Sequence, residues 1–240
     1  MKNKLISIIA IISLGAFAAD NEIFVDQSGT GANIDLEQLG ISNIIGGLNS
    51  TAGSVNALDL DGNTMTLDIN MIGATNKFLG DIFADNFTGL YNFTGGTNTF
   101  TIQVDPTDTY SSDGSDQNVA VTGSGNTFTL NQGTTAIAAS LNLDWIIQGS
   151  NNITSNINID GATNYVDIDG SDNTLTYTGT GANASAGGYF YLDHTGGSRT
   201  FNIQQLSTQD NDWLKIISNG GNASSTVCVI QNDQGTSTGC

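Results

Sequence analysis

Proline, cysteine and charged residues are all scarce in this sequence of 240 residues. Proline occurs once, as Pro106, cysteine occurs only as Cys228 and Cys240, and 12% of the residues are charged. Disordered acidic segments are typically rich in both charge and proline, so that class is excluded. The chain is long enough for one large or two small domains, and its 30 glycines indicate many turns.

Basic residues are the scarcest charged type. Five Lys and Arg residues stand against 23 Asp and Glu residues, which gives a formal net charge of −18. A chain this acidic repels nucleic acid and anionic lipid, so neither is expected as a partner. The composition instead suits a soluble surface layer or a protein that binds multivalent cations.

The single histidine is His194, which follows Asp193 and lies near Ser198 in the sequence. A Ser-His-Asp triad needs a tertiary arrangement that nothing in the sequence specifies, and a lone His in a glycine-rich loop is usually only exposed. No glycine-rich phosphate loop leads from a strand into a helix. We therefore expect no enzymatic activity, no catalytic residue and no organic cofactor.

The first nineteen residues have the composition of a secretory leader. A basic start at Lys2 and Lys4 precedes an apolar run over residues 5–17, and a small-x-small site ends at Ala18. This pattern predicts a signal peptide over residues 1–19. A retained anchor is the alternative, but the run is shorter than the ~20 residues of a membrane span. We expect a secreted protein, extracellular or at the cell surface, with no membrane span once the leader is removed.

Residues 148–178 contain one short phrase three times, starting at Gly149, Gly161 and Gly170. Each copy has a Gly, two further residues and an Asn, followed by a short strand in which apolar and polar residues alternate. Gly supplies positive φ and Asn tolerates left-handed geometry, so each copy predicts a turn with a strand attached.

Looser copies of the same phrase occur upstream, at Gly53, Gly73, Gly95 and Gly123. Their spacing of about 20–28 residues is typical of a solenoid, in which each turn of chain buries its apolar face against its neighbours. We predict an all-β fold, a β-solenoid or β-helix, over residues 20–186. Variable spacing predicts loops inserted into some turns.

The last segment, residues 187–240, is bulkier and contains both cysteines. A solenoid needs a cap over its last open edge, so we predict final rungs and a cap closed by a disulfide between Cys228 and Cys240. The alternatives are two free thiols, or an inter-chain bond through Cys240.

Two half-repeats near the start, Gln27 to Asn33 and Gln38 to Asn43, share Gln-x-Gly followed by Asn. They resemble the curlin repeat of curli amyloid subunits, with Ala32 as an extra residue before the first Asn. The resemblance implies a β-solenoid whose repeats each form one strand-turn-strand rung, with Gln and Asn side chains stacked in ladders. The expected ladder residues, from this resemblance and from the Gly-x-x-Asn turns, are Gln27, Asn33, Gln38, Asn43, Asn98, Asn126, Asn152, Asn164 and Asn173.

Three carboxylates, Asp167, Asp169 and Asp172, gather around one predicted turn. Ca²⁺ prefers several oxygen ligands, and carboxylates at turns supply them. The stretch completes no EF-hand loop, because the last-position Glu is missing. The alternative is ordinary turn chemistry, since Asp is a good turn residue. Calcium is therefore the one cofactor that the sequence suggests.

These observations together predict an exported structural or adhesive protein of a cell surface or extracellular fibre, with curlin-like repeats. The expected partners are other copies of the chain, or cell-surface and polysaccharide ligands. One alternative is a tail-fibre or appendage component of a virion that binds a receptor. Another is a carbohydrate-active β-helix enzyme, which would share the architecture.

Overall fold

The chain folds into a β-solenoid, as the sequence predicts, with parallel strands stacked in two sheets. No helix occurs among the residues that the structure describes. The computed structural model describes residues 7–10, 22–46, 58–104, 115–132, 141–160, 162–180, 189–205, 213–220 and 225–231.

Nine strands form the first sheet, called sheet 1, and each pairs in parallel with the next. In order across the sheet these are β1 (Ser7–Ala10), β4 (Asn33–Leu39), β7 (Thr66–Ile72), β9 (Thr88–Thr94), β11 (Asp116–Thr122), β13 (Leu141–Gln148), β15 (Ala162–Asp169), β17 (Tyr189–Thr195) and β19 (Trp213–Asn219).

Eleven strands form the second sheet, called sheet 2, and nine of them follow one path. In order these are β2 (Glu22–Ile23), β5 (Ile44–Ile45), β8 (Lys77–Asp85), β10 (Thr99–Val104), β12 (Thr127–Gln132), β14 (Ile153–Asp160), β16 (Asn173–Thr180), β18 (Arg199–Gln205) and β20 (Thr226–Gln231). The other two, β3 (Asp26–Ser28) and β6 (Leu58–Asn63), pair with each other, and β6 also pairs with β8.

Alternating side chains place the core between the two sheets. In β9, for example, Tyr91 and Phe93 are buried, while their strand neighbours face solvent. Identical positions in successive rungs stack, because the strands are parallel and in register. Phe78, Phe100 and Phe128 are such a column, and the ring centroids of Phe93 and Phe100 lie 3.5 Å apart across the core.

The two edges of the solenoid differ in how the chain crosses between sheets. From sheet 1 to sheet 2, the chain turns within a compact corner, such as residues 95–98. From sheet 2 back to sheet 1 the connection varies, from residue 161 alone to residues 105–115. Rung length varies from 21 to 33 residues between successive corners, and the longest rung has its extra residues between β5 and β6, both in sheet 2. The variation therefore lies away from the corner edge in the described chain.

Each corner has a Gly at its first position, and in the corners that begin at Gly40 through Gly170 the third residue is left-handed. The φ of Gly123 is +137°, and a Cβ there would lie 1.8 Å from the carbonyl oxygen of Gly95 in the preceding rung. The third position has φ near +60°, even where it is a Thr, as at Thr97 (+61°). From the corner at Gly73 to the corner at Gly196, only Gly can occupy the first position, because a side chain would enter the preceding rung.

A ladder of buried asparagines closes this corner edge. The Oδ1 of Asn126 accepts a hydrogen bond from the backbone N–H of Asn98 at 3.0 Å, and the N–H of Asn126 donates to Asn152 Oδ1 at 3.0 Å. Asn43 and Asn76 precede these residues and Asn173 follows them, with the same bond at 2.8–3.3 Å. Arg199 stands in register after Asn173, so the amide column ends there.

Five of the expected ladder residues, Asn43, Asn98, Asn126, Asn152 and Asn173, lie in this column, together with Asn76. The other four lie elsewhere. Gln27 bonds the carbonyl of Ser28, Asn33 is exposed at the start of β4, and Gln38 donates to the carbonyl of Ile44. Asn164 lies within β15 and donates to the hydroxyl of Tyr177 in the core. The copy that begins at Gly53 lies outside the described residues.

Asn164 departs from the expectation because its phrase sits on the opposite edge of the solenoid. The strand β14 ends at Asp160 and β15 begins at Ala162, so the chain passes from sheet 2 to sheet 1 there. At that edge the Asn falls inside a strand rather than at the end of a corner.

The predicted leader and cap contribute strands to the same stack. Residues Ser7–Ala10 form β1, which pairs with Asn33–Leu36 of β4, while the rest of residues 1–19 lies outside the described chain. Leader cleavage stays a prediction. Strands β17 to β20, within the segment expected to hold final rungs and a cap, extend both sheets in parallel. Among the described residues, no helix is long and apolar enough to cross a membrane.

We expect replacement of Asn126 by Ala to destabilise the fold by about 1–3 kcal/mol, because the buried N–H of Asn98 loses its acceptor. Urea unfolding followed by circular dichroism measures the change. Asn33→Ala is the matched control, since Asn33 is exposed and outside the ladder, and it should change stability by less than about 0.5 kcal/mol. Equal effects of the two substitutions would contradict a structural role for the ladder.

Candidate functional site

The outward face of sheet 1 carries apolar, aromatic, acidic and basic side chains. Strand pairing aligns its side chains in two adjacent columns that run along the solenoid axis. We call these columns the outer strip. The first column contains Asp68, Leu90, Asn118, Asp144, Tyr165, Tyr191 and Lys215, and the second contains Asn92, Ala120, Ile146, Asp167 and Asp193.

A shallow groove of about 340 Å³ occupies the first half of the outer strip. Its apolar floor is formed by Leu90, Ala120 and Ile146, with the amides of Asn92 and Asn118 beside them. The carboxylates of Asp68 and Asp144 also line it. The groove can therefore hold a ligand with one apolar side and several hydrogen-bonding groups.

Aromatic rings form the second half of the outer strip. Tyr165 and Tyr191 stack with centroids 5.1 Å apart and planes 8° from parallel. Trp213, which lies beside the strip on β19, continues the stack with its centroid 6.3 Å from that of Tyr191. The ammonium of Lys215 lies 4.9 Å from the centroid of Tyr191. This is a cation–π contact made within the chain itself.

Acidic side chains border the aromatic rings. The hydroxyl of Tyr191 donates to Asp193 Oδ2 at 3.3 Å, and Asp167 lies in register with Asp193. Burial raises the pKa of Asp167, and the charges of Asp169, Asp193 and Asp144 raise it further. These carboxylates repel one another, so a cation placed among them would relieve the repulsion.

The three residues expected to bind calcium are spread around the end of β15. Asp167 lies on the outward face of β15, Asp169 is exposed at the end of that strand, and Asp172 is the left-handed corner residue, with φ of +60°. Within the described ranges, no three His, Cys, Asp or Glu side chains form a metal-binding group. Calcium binding by these three residues stays a prediction.

A second acidic column lies on sheet 2. Asp26, Asp59 and Asp81 are in register across β3, β6 and β8. Asp81 is only 8% exposed, and no described polar atom lies within hydrogen-bond distance of its Oδ1. Burial raises the pKa of Asp81 and the charge of Asp59 raises it further, while burial, Asp26 and Asp61 raise the pKa of Asp59.

His194 lies in the core rather than in an exposed loop. It is fully buried on an inward position of β17, in register with Ile168 and Ser218. Its Nε2 donates to the carbonyl of Gly170 at 3.2 Å, and its Nδ1, 3.1 Å from Ser218 Oγ, can then accept from that hydroxyl. Burial lowers the pKa of His194. Asp193 points to the opposite face of the strand, where it accepts from Tyr191, so His194 and Asp193 are not partners in a Ser-His-Asp triad.

Cys228 lies on β20 and is disulfide-bonded, whereas Cys240 lies outside the described residues.

No family model matches the chain, and neither a curated protein nor a solved structure does.

Sequence reasoning missed the outer strip. Its only signal was the bulky pattern at Tyr189 to Tyr191 and Trp213, which the alternation of apolar residues does not assign to a face.

We expect the protein to become more stable as the pH falls from 7 toward the ordinary Asp value of 3.8. The folded-state pKa values of Asp59, Asp68, Asp81 and Asp167 are raised above that of the unfolded chain. At these four carboxylates the folded protein therefore takes up protons in this window that the unfolded chain does not, and stability rises. His194, whose folded-state pKa is lowered, opposes part of this gain below pH 6.5. Below the ordinary value no further gain from these groups is expected.

Asp81→Asn should raise the melting temperature at pH 7 by a few degrees and reduce the gain on acidification. Calorimetry of both proteins across the pH range measures these effects. Asp85→Asn on the same strand is the control, because Asp85 is in register with Asn63 rather than with another carboxylate. A melting temperature that falls steadily from pH 7 to pH 4 would show that the carboxylate columns do not govern the profile.

Proposed function

We propose that the protein is an exported structural and adhesive subunit, which assembles end to end into a surface or extracellular fibre in the manner of curlin-like proteins. The observation that carries this proposal is the open end of the solenoid at β20. Val227 and Val229 are in register with Phe201 and Ile203, which are fully buried, yet the two valines are 44% and 41% exposed.

The end of the stack therefore resembles a rung that lacks its neighbour. In the described chain, β19 and β20 each pair with one strand only, so one backbone edge of each has no strand beside it. An open strand edge with apolar side chains beside it is a template for another chain. A second copy would cover both the apolar side chains and the backbone edge.

The other end of the stack offers a complementary edge. On one side β4 pairs with β7, and on the other it pairs with β1, which belongs to the predicted leader. Removal of the leader, as the sequence predicts, would leave that edge of β4 without its partner. Parallel pairing of β19 from one copy with β4 of the next would continue sheet 1 between copies.

We expect the chain purified after export to form unbranched fibres whose length increases with protein concentration. Val227→Lys combined with Val229→Lys should abolish them, because charges would be buried at the joint between copies. Negative-stain microscopy and sedimentation measure assembly. Ile72→Lys is the matched control, since Ile72 is 40% exposed on the side of the solenoid, and it should leave fibres intact.

Compact monomers of the unsubstituted chain at all concentrations would overturn end-to-end assembly and return attention to the enzyme alternative. Closed trimers or knobs would favour a receptor-binding appendage. Loss of fibres in both the double variant and the Ile72 control would show that assembly depends on lateral contacts instead.

The disulfide at Cys228 should slow assembly. Cys228 lies between the two exposed valines and is disulfide-bonded. With Cys240 as its partner, as the sequence predicts, the bond would tie the chain end to β20, next to the open edge. We expect Cys228→Ser with Cys240→Ser to assemble faster, and more so at high salt, because salt screens repulsion between acidic copies. Light scattering across a salt series measures the rates. Equal rates for both proteins would show that the bond does not control the edge.

A further inference from the structure

We propose that the outer strip binds a polysaccharide that carries protonated amino groups, laid along the solenoid axis. The inference deepens the adhesive role proposed above by naming its ligand class. It depends on the alignment of Asp144, Tyr165, Tyr191 and Lys215 in one column, and on the groove that continues this column.

The outer strip offers a site for an ammonium group between Tyr165 and Asp144. One face of Tyr191 is covered by Tyr165, and the ammonium of Lys215 lies 4.9 Å from the Tyr191 centroid. The face of Tyr165 that points away from Tyr191 looks toward β13, where Asp144 is the residue in register. An amino group of a ligand placed there would contact an aromatic face and a carboxylate at once, as Lys215 already contacts Tyr191.

The charge around that site is negative. Asp144, Asp167 and Asp193 all lie within the outer strip, and Lys215 at one end is its only cation. Their mutual repulsion favours a positively charged ligand and disfavours sulfated or uronic acid polymers. A neutral sugar would leave this repulsion in place.

The outer strip is long and open. From β7 to β19 the outer strip crosses seven neighbouring strands of sheet 1, a span of roughly 30 Å at the usual strand separation. The groove at its start is shallow rather than enclosed. A surface of this shape gains affinity from many weak contacts along a polymer, so a single sugar unit should bind weakly.

A basic peptide is the competing ligand. Peptides that bind sheets usually add a strand at an edge, through backbone hydrogen bonds. The outer strip lies on the face of the sheet and offers side chains alone, including the amides of Asn92 and Asn118 and the hydroxyl of Tyr165. These groups suit a ligand with hydroxyl and amino groups along its whole length, so the polysaccharide is favoured.

The test measures binding of the purified chain to immobilised hexamers of glucosamine, compared with the fully N-acetylated hexamer, a polyuronate and polylysine. We expect binding to the glucosamine hexamer, and at least about tenfold weaker binding to the acetylated form, which has lost its positive charges. Tyr165→Ser and the pair Asp144→Asn with Asp167→Asn should each weaken glucosamine binding by about tenfold. Tyr165→Phe should retain it, because the aromatic face remains.

Two controls match these changes on other surfaces. Asp61→Asn removes the same charge from sheet 2, and Phe24→Ser removes an exposed aromatic ring near the start of the described chain. Both should bind within about twofold of the unsubstituted protein. Equal losses in the controls would show that binding is not specific to the outer strip and would overturn the proposal, as would equal binding of the two hexamers. Binding of polylysine through Tyr165, without binding of the glucosamine hexamer, would assign the surface to basic peptides instead.

The same assay on the Val227→Lys, Val229→Lys variant separates this inference from end-to-end assembly. Glucosamine binding by a variant that forms no fibres would support the outer strip as an independent site. Fibres of the unsubstituted chain that bind no glucosamine hexamer would overturn the ligand assignment and leave the assembly proposal standing.

Discussion

The hydrogen bond from one backbone N–H to the amide oxygen of the next rung's asparagine is the interaction on which the stack depends. This asparagine ends the corner at which the chain leaves sheet 1. Its backbone N–H cannot enter a strand ladder there and would be buried without a partner. The Oδ1 of Asn126 accepts from the N–H of Asn98, and the Nδ2 of Asn126 donates to Oδ1 of Asn152 in the next rung. From Asn43 to Asn173 the column therefore fixes the register of both sheets at one edge, and the apolar columns of these rungs follow from it.

Parallel, in-register stacking amplifies whatever residue each position holds. It gives the core its continuous aromatic contacts, as at Phe93 and Phe100, and it also places like charges directly above one another. Asp26, Asp59 and Asp81 show the unfavourable side of this rule. Tyr165 and Tyr191 show the favourable side, because their rings stack on an exposed face. The same geometry thus produces both the acidic columns and the outer strip.

Sequence reasoning predicted the fold because the Gly-x-x-Asn phrase is local chemistry. The first position requires a residue without a Cβ, the third accepts left-handed geometry, and the Asn amide reaches the neighbouring rung. The corners can therefore be predicted from the sequence alone. The outer strip could not be predicted in the same way. Which residues share a column depends on counting across connections of unequal length, such as residues 105–115, and alternation alone does not supply that count. Asn164 shows the converse difficulty, since the same phrase at the other edge forms part of a strand.

The absence of length variation from the described corners has a consequence for how such a chain can change over generations. Insertions or deletions elsewhere in a rung, between sheet 2 and sheet 1 or within sheet 2 between β5 and β6, alter the number of residues in the rung but leave the next corner in place. The corner edge tolerates no such change, because an added residue would move the Asn away from its neighbour's N–H. Point substitutions on the outward face and length changes away from the corners can therefore accumulate independently. The fold therefore separates the connections, whose length can change, from the corners, where the Asn must keep its position.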